Sequence, residues 1–384
     1  MNFVAIKMLI GDRAKYIAII MGIVFASMLI TQQEAIFCGI MSRTVSAITD
    51  LGQPDIWVMD PKVQFIDDVK PLQDTQLQRV RGVEGVEWAV PLYKGLLKAR
   101  LGNGNFQTCN VLGLDDTTLV GGPPIMVEGQ LADLRKADAV IVDAVGAAGK
   151  LAHRLPDGTS VPLGIGDTME LNDRRAVVVG LCRVTRTFQS QPVVYTTYSR
   201  ATLLAPRERK LLSFVLAKVR PGEDRDAVCE RVRRATGLAA RTGDEFKWLT
   251  IRYFLKYTGI PINIGIGVIM SFLVGTAIAG QTFYSFTLDN IRHFGALKAM
   301  GASNLRLLGM IVLQALLVGS MGYGIGVGAA ATVGFVFRRT ELAFLLLWQS
   351  LAITGGAVVL ICVLASIFSI RKVMKLEPAI VFRS

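Results

Sequence analysis

The sequence is poor in the residues that do chemistry. It holds two histidines, His153 and His293, in 384 residues, and the topology argued below sets them on opposite sides of a membrane, so they cannot share a metal ion. The five cysteines, Cys38, Cys109, Cys182, Cys229 and Cys362, stand far apart in the chain. No C-x-x-C, H-E-x-x-H or G-x-S-x-G pattern occurs, which removes the usual zinc, metalloprotease and serine-hydrolase frameworks. The run Gly146 to Leu151 (GAAGKL) lacks the spacing and the closing Ser or Thr of a phosphate loop. Gly164-Ile165-Gly166-Asp167 reads as a turn before Thr168 to Leu171, where glycine relieves backbone sterics. No catalytic, cofactor-binding or metal-binding residue is therefore assigned. Charge is scarce as well: 19% of residues are Asp, Glu, Lys or Arg, below the roughly 25% of soluble domains.

What is abundant is apolar surface, with 52% hydrophobic residues and 38 glycines. Four runs, Tyr16 to Ile40, Ile260 to Phe286, Leu307 to Phe337 and Leu342 to Ile370, are each long enough to cross about 30 Å of hydrocarbon at about 1.5 Å per helical residue. The first meets Thr31, Gln32, Gln33 and Glu34, so a helix leaving the membrane near Thr31 and continuing into water on an amphipathic path is expected. Lys7, Arg13 and Lys15 give it a positive start, but no small-x-small cleavage site follows, and it is read as an uncleaved anchor. Glu34 apart, the runs carry no acid, base or histidine, which argues against a proton or ion relay.

Charge orients the chain. Outside residues 41–260 there are 12 Lys and Arg against 5 Asp and Glu. Lys7, Arg13 and Lys15 precede the first run, Arg292, Lys298 and Arg306 separate the second and third, and Arg371, Lys372, Lys375 and Arg383 follow the fourth. The positive-inside rule puts these in the cytoplasm, with Arg338 and Arg339 as a minority on the other side. The expected fold class is membrane α-helical: four transmembrane helices with one large α+β extracytoplasmic domain inserted between helix 1 and helix 2. The expected boundaries are 1–41 for the N-terminus and first helix, 42–257 for the periplasmic domain, 258–288 for the second helix and 289–303 for a cytoplasmic connection. The third and fourth helices then take 304–337 and 342–370, and 371–384 is a cytoplasmic tail.

The inserted segment reads as folded. Ile56 to Met59, Val86 to Tyr93, Leu96 to Arg100, Val111 to Leu114, Ala139 to Val142, Ala176 to Leu181, Val193 to Thr196 and Phe214 to Val219 have strand content. Thr75 to Val80 suits a short helix, and Gly222 to Ala235 a longer one ending near Gly237. Gly102-Asn103-Gly104, Gly121 to Pro124 and Asn172-Asp173 are turn signals. The 30 basic and 25 acidic residues of 41–260 are mixed along the sequence; without a concentrated basic face no nucleic-acid partner is implied. Cys109, Cys182 and Cys229 are an odd set in a disulfide-permissive compartment. At most one pair can form, Cys109 with Cys182 being the one considered, and free buried thiols are expected.

The stretch Asp289 to Gly319 is a short charged segment set between long apolar runs. Phe294, Leu297 and Met300 recur at helical spacing, Arg292 and Lys298 flank them, and Gly301 is placed to end or bend the helix. In the run that follows, Gly322 with Gly326 and Gly324 with Gly328 give the small-xxx-small spacing that lets helix backbones approach. Trp248, Tyr253, Phe254 and Tyr257 lie either on a helical extension of the second span or in an interfacial aromatic belt.

The segment Phe294-Gly-Ala-Leu-Lys-Ala-Met-Gly-Ala-Ser303, the Gly-rich span after it and the closing Arg371-Lys-Val-Met-Lys-Leu-Glu-Pro378-Ala-Ile-Val-Phe382 together resemble the MacB and FtsX-like class of ABC transporter permeases. The likeness is greatest to DevC-like permeases. Asn110 to Asp115, Ile165 to Thr168 and Val177 to Gly180 are similar to phrases of their periplasmic domains. The resemblance implies a homodimeric permease of the inner membrane, working by mechanotransmission. Its coupling helix, Asp289 to Ser303, docks on a separate cytoplasmic ABC ATP-binding subunit, which binds ATP and Mg. The implied coupling residues are Arg292, His293, Phe294, Leu297, Lys298, Met300 and Gly301. His293 departs from the family, where a glutamate is common. Helical extensions at Thr31 to Met41 and Phe246 to Tyr257 would carry the stroke. A periplasmic adaptor, an outer-membrane channel and an amphiphile, glycolipid, drug or peptide cargo are further implications.

Three other readings stand beside this one. A lipoprotein-release permease calls for a protruding hook on the outer domain, and none is obvious. An FtsX-like regulator of cell-wall hydrolases would work without an adaptor. A membrane-anchored enzyme needs a clustered acid, base or metal site in 41–260.

Overall fold

The computed structural model describes residues 2–102, 104–154, 159–206, 212–337 and 340–374. Arg338, Arg339, Asn103 and 375–384, which includes most of the closing Arg371 to Phe382 motif, lie outside the described residues. The chain forms two compact units, one from Met1–Ile40 with Gly259–Ser384 and one from Met41–Thr258.

The chain opens with α1 (Asn2–Gly11) and α2 (Arg13–Thr44). The second unit then follows, beginning with α3 (Ser46–Asp50). Its strands are β1 (Ile56–Met59), β2 (Val86–Arg100), β3 (Phe106–Leu114), β4 (Ile125–Glu128), β5 (Ala139–Asp143) and β6 (His153–Arg154). They continue with β7 (Ser160–Val161), β8 (Thr168–Leu171), β9 (Arg174–Arg183), β10 (Val193–Thr197), β11 (Phe214–Val219) and β12 (Ala239–Thr242). Its remaining helices are α4 (Thr75–Arg81), α5 (Ala144–Ala148), α6 (Tyr198–Leu204), α7 (Arg225–Thr236) and α8 (Gly243–Tyr257). Ten strands join in one mixed sheet ordered β12-β1-β11-β2-β3-β10-β5-β9-β4, with β8 pairing β2 and β9.

Period-2 alternation sorts the side chains of this sheet to two faces. On β1, Ile56 and Val58 join Val80 of α4 and Val228 and Val232 of α7, whereas Trp57 and Met59 join Phe214 and Phe246 in a separate core. Gly237 ends α7 in the left-handed conformation, at φ 73°, and Thr242 and Glu245 cap α8 reciprocally. Asn172 and Asp173, both at positive φ, make the two-residue turn between β8 and β9. The strands expected at Val86 to Tyr93 and Leu96 to Arg100 are one strand, because Gly95 continues the ladder where any side chain would strike the Tyr93 ring: a Cβ there would lie 2.5 Å from its Oη.

The cysteines of this unit are free and buried. Cys109 on β3 and Cys182 on β9 have β10 and β5 between them, about 14 Å at ordinary strand spacing, beyond the Cα reach of a disulfide. Burial pushes both thiols up to about 12, which leaves them unreactive.

The other unit is completed by α9 (Ile260–Asp289), α10 (Ile291–Ala299), α11 (Asn304–Val336) and α12 (Trp348–Met374). Four helices, α2, α9, α11 and α12, have the length and apolar content to cross a membrane, and the sheet-bearing domain is inserted between the first and second of them.

The first helix continues past Thr31, as expected, and runs unbroken to Thr44; Thr31 and Glu34 have partners on α12. Thr31, fully buried, donates to Thr354 at 3.2 Å, and Thr354 donates to Glu34 at 3.4 Å. The fourth helix starts at Trp348, not Leu342. Residues 342–347 run non-helical beside α2, with the Leu345 N–H donating to the Ala35 carbonyl at 2.9 Å and the backbone of Ala343 against Gly39. Finally, α8 stops before α9. Thr258 is extended and Pro261 sits in the first turn of α9, where its missing N–H costs nothing. Tyr253 and Phe254 pack within their own unit, with Phe65 stacked 4.3 Å from Tyr253 and Phe188 5.0 Å from Phe254; Trp248 and Tyr257 are exposed.

Candidate functional site

The segment expected to receive force is α10 and its flanks. Helix α9 gives way to α10 at Asn290, whose side-chain amide donates back to the Phe286 carbonyl at 2.9 Å. Helix α10 closes in a Schellman motif: the Ala302 N–H bonds the Leu297 carbonyl and the Gly301 N–H bonds the Lys298 carbonyl, each at 3.0 Å. Gly301 sits at φ 89°, a conformation that side-chain-bearing residues resist, and the chain then turns directly into α11.

The two faces of α10 have different neighbours. Phe294 is fully buried and shares a cluster with Ala5 of α1 and Leu307, Met310 and Ile311 of α11, against which Leu297 also packs. These two residues, expected to enter a partner's groove, are instead the roots that fix α10 to its own bundle. Gln314, also fully buried, donates to the Ala5 carbonyl at 2.7 Å and ties α1 to the same place. Lys15 of α2 pairs with Asp12 and with Asp289 at the end of α9, so the negative end of the α9 dipole region meets a cation.

The outward face carries Arg292, His293, Ala296, Met300 and Gly301, all exposed, with Lys298 half-buried beside it. Met300 is 76% exposed and Leu305, in the first turn of α11, 79%. Met300 and Leu305 are thus large apolar side chains left exposed on either side of the Gly301 turn, and Arg292, His293 and Arg306 are exposed in the same segment. Sequence periodicity missed Leu305 because it belongs to the next helix, across the Gly301 turn.

The glycine pairs of α11 also divide. A Cβ at Gly322 would lie 2.7 Å from Ile23, and one at Gly326 would lie 1.9 Å from Ser27 Oγ. The Ser27 hydroxyl donates to the Gly322 carbonyl at 3.1 Å, so this pair lies directly on α2. Gly324 and Gly328 meet nothing within 4 Å. Gly275 on Ala26 and Gly319 on Cys362 make similar close approaches between α9 and α2 and between α11 and α12. Among the described residues no group of His, Cys, Asp and Glu is arranged to hold a metal ion.

Comparison with known proteins places these features. Residues 17–235 match the MacB-like periplasmic core domain, and residues 265–378 match the FtsX-like permease C-terminal region. An uncharacterized ABC transporter permease of Methanocaldococcus jannaschii is 25% identical over 241 residues, 59% of this chain and 59% of that protein; the match thus spans under two thirds of the relative's length. One from Mycobacterium tuberculosis is 22% identical over 315 residues, 81% of this chain and 79% of its own. Among solved structures, the periplasmic region of MacB from Actinobacillus actinomycetemcomitans aligns with 55% of this chain and 96% of its own at 16% identity and a TM-score of 0.38. The extracellular domain of the noncanonic ABC-type transporter YknZ from Gram-positive bacteria aligns with 49% of this chain and 98% of its own at 12% identity and a TM-score of 0.35.

Proposed function

The chain belongs to the MacB/FtsX-like family of ABC transporter permeases, and from that premise we propose that it is the force-transmitting subunit of an ATP-driven export complex. As a family member it is a multi-pass inner-membrane protein with a large periplasmic domain. In our reading both termini and α10 face the cytoplasm, as the positive-inside charges favour. A separate ATP-binding subunit docks on the exposed edge of α10. The observation that carries this is the division of α10 and its C-terminal flank: Arg292 and His293 of α10, Met300 just after it and Leu305 at the start of α11 are exposed while Phe294 is sunk in the bundle. A push on the outer face is therefore delivered at once to α1 and α11, because close-packed interiors transmit displacement.

ATP and Mg belong to the partner in this scheme, and a second copy of the chain completes the permease, with Gly324 and Gly328 free to face it. The stroke would reach the periplasmic domain through α2. Cargo is handled on the periplasmic side, with an adaptor, an outer-membrane channel and an amphiphilic substrate as the DevC-like resemblance implies. The test is reconstitution with the co-encoded ATPase and any co-encoded adaptor, followed by ATP hydrolysis in the presence of candidate glycolipids or peptides. Stimulation by an amphiphile supports export; an ATPase whose rate no candidate and no adaptor alters favours a signalling role of the FtsX type.

A further inference from the structure

Lysine is almost never fully buried unless its charge is paired, and Lys94, near the middle of β2, has a side chain only 3% exposed. The backbone around it is settled: the Lys94 N–H donates to Ser213 Oγ at 2.9 Å, and the Ser213 hydroxyl donates to the Lys94 carbonyl at 3.2 Å. The ammonium has one partner among the described residues, a carboxylate oxygen of Asp67, although it can donate three hydrogen bonds. The pair is lopsided. Asp67, in the connection between β1 and α4, is 46% exposed. Taking the lysine out of water is costly, and a half-hydrated partner offsets less of that cost than a buried one. The cation is thus fixed at the floor of a cleft while its counter-ion stays on the solvent side.

The cleft, of about 470 Å³, has the size of small-ligand sites. Asp68, Lys70 and Leu96 line it beside Asp67 and Lys94. Asp68 is already committed: it accepts from the Gln64 N–H at 3.1 Å and pairs with Lys70 at 2.7 Å. Leu96, two residues beyond Lys94 and so on the same face of β2, is 47% exposed.

We propose that Lys94 is the floor of a binding site for an acidic amphiphile, an oxyanion head (carboxylate or phosphate) on an apolar chain, and that Asp67 holds the place of that head in the empty site. With Asp67 on Lys94 the charges of the cleft cancel, two ammoniums against two carboxylates. Once Asp67 swings out, one positive charge is in excess, deep enough for a weakly screened attraction to an oxyanion. Leu96 gives the chain an apolar shelf beside it. Lysine is a point charge with rotatable donors, so it takes either oxyanion; an uncharged head cannot replace Asp67.

The site is joined to α8. The Asp68 N–H bonds the Phe65 carbonyl at 3.0 Å, closing the turn that carries Asp67, and Phe65 stacks on Tyr253 of α8 at 4.3 Å. Exchange of Asp67 for a ligand's head is therefore felt at the helix that precedes α9. The ligand's role as cargo rests on the export reading above; the binding itself does not.

The test is isothermal titration calorimetry of the full chain in phosphatidylcholine nanodiscs, against empty nanodiscs and without ATPase. Its failure leaves the export reading standing, and a failed export assay leaves the binding standing. The probes are octanoate and octyl phosphate, with octyl glucoside as the uncharged control and inorganic phosphate as the head alone. Saturable binding of at least one octyl anion is expected, several-fold tighter than inorganic phosphate and absent with octyl glucoside. It should tighten several-fold in Asp67→Asn, which removes the competing carboxylate, and vanish in Lys94→Met. Asp67 is on the surface, so its variant decides the matter if Lys94→Met does not fold. No saturable binding, binding kept in folded Lys94→Met, equal binding of octyl glucoside, or an affinity unchanged or lowered in Asp67→Asn overturns the proposal. Inorganic phosphate binding as tightly as octyl phosphate overturns it too, since the site would then serve a free anion.

Discussion

Gly237 of the sheet unit and Gly326 of the helical unit are glycines for opposite reasons. Gly237 makes a turn: it ends α7 at φ 73°, and a side chain there would meet nothing within 4 Å. Gly326 sits in regular helix and makes room: it takes Ser27 Oγ where its own Cβ would be. The first use is a matter of backbone conformation and the second of volume. The difference fits the solvents. A sheet in water is held by burying large side chains on two faces, whereas helices in lipid gain nothing from sequestering apolar groups and rely on close contact and interhelical hydrogen bonds, as Ser27 with Gly322 and Thr31 with Thr354 illustrate.

Substitutions separate the two uses. Gly326→Leu should have the largest effect, because it drives a side chain into the backbone of α2 near Val24 and Met28; we expect a loss of about 3 kcal/mol or more, seen as failure to accumulate as a folded species in detergent. Gly328→Leu, which faces open space, should leave the fold of a single copy intact and disturb only self-association. Equal damage from both would mean that the two pairs are not distinct. Phe294→Ala comes next. Removing a fully buried ring should cost about 3 kcal/mol and lower the melting temperature of the helical unit while leaving the near-ultraviolet signal of the sheet unit unchanged. Gly237→Ala is the mildest, about 1 kcal/mol from backbone strain alone, measurable by denaturant unfolding of the periplasmic domain signal.

The four spans and the inserted domain could be read from the amino-acid sequence because length and apolarity are properties of a run, and so are strand alternations such as Ile56 to Met59. Direction is not. The spacing of Phe294, Leu297 and Met300 says that they are near one another on a helix, but not whether that side meets the same chain or another. The Schellman turn at Gly301 decides it, by letting Phe294 and Leu297 sink toward α1 and α11 while Met300 and Leu305 remain outside. The glycine spacing of α11 likewise announces close helix contact without naming the neighbour, so Gly322 and Gly324 look equivalent until α2 is set beside one of them. Helix α1 was hidden for a different reason: its short length and three nearby cations, Lys7, Arg13 and Lys15, read as a charged N-terminus. The break at Thr258 was signalled by Pro261, but an aromatic-rich stretch running into an apolar one reads as continuous helix.

The central claim is that the exposed edge of α10 and the start of α11 is where an ATPase takes hold. The most direct test is the affinity of the co-encoded ATPase for the purified permease carrying Met300→Asp with Leu305→Asp, compared with the unaltered chain. Both positions are on the surface, so the protein should fold, and burying two carboxylates in an apolar contact should weaken binding by about tenfold or more. Unchanged affinity for the doubly substituted, folded permease would contradict the account.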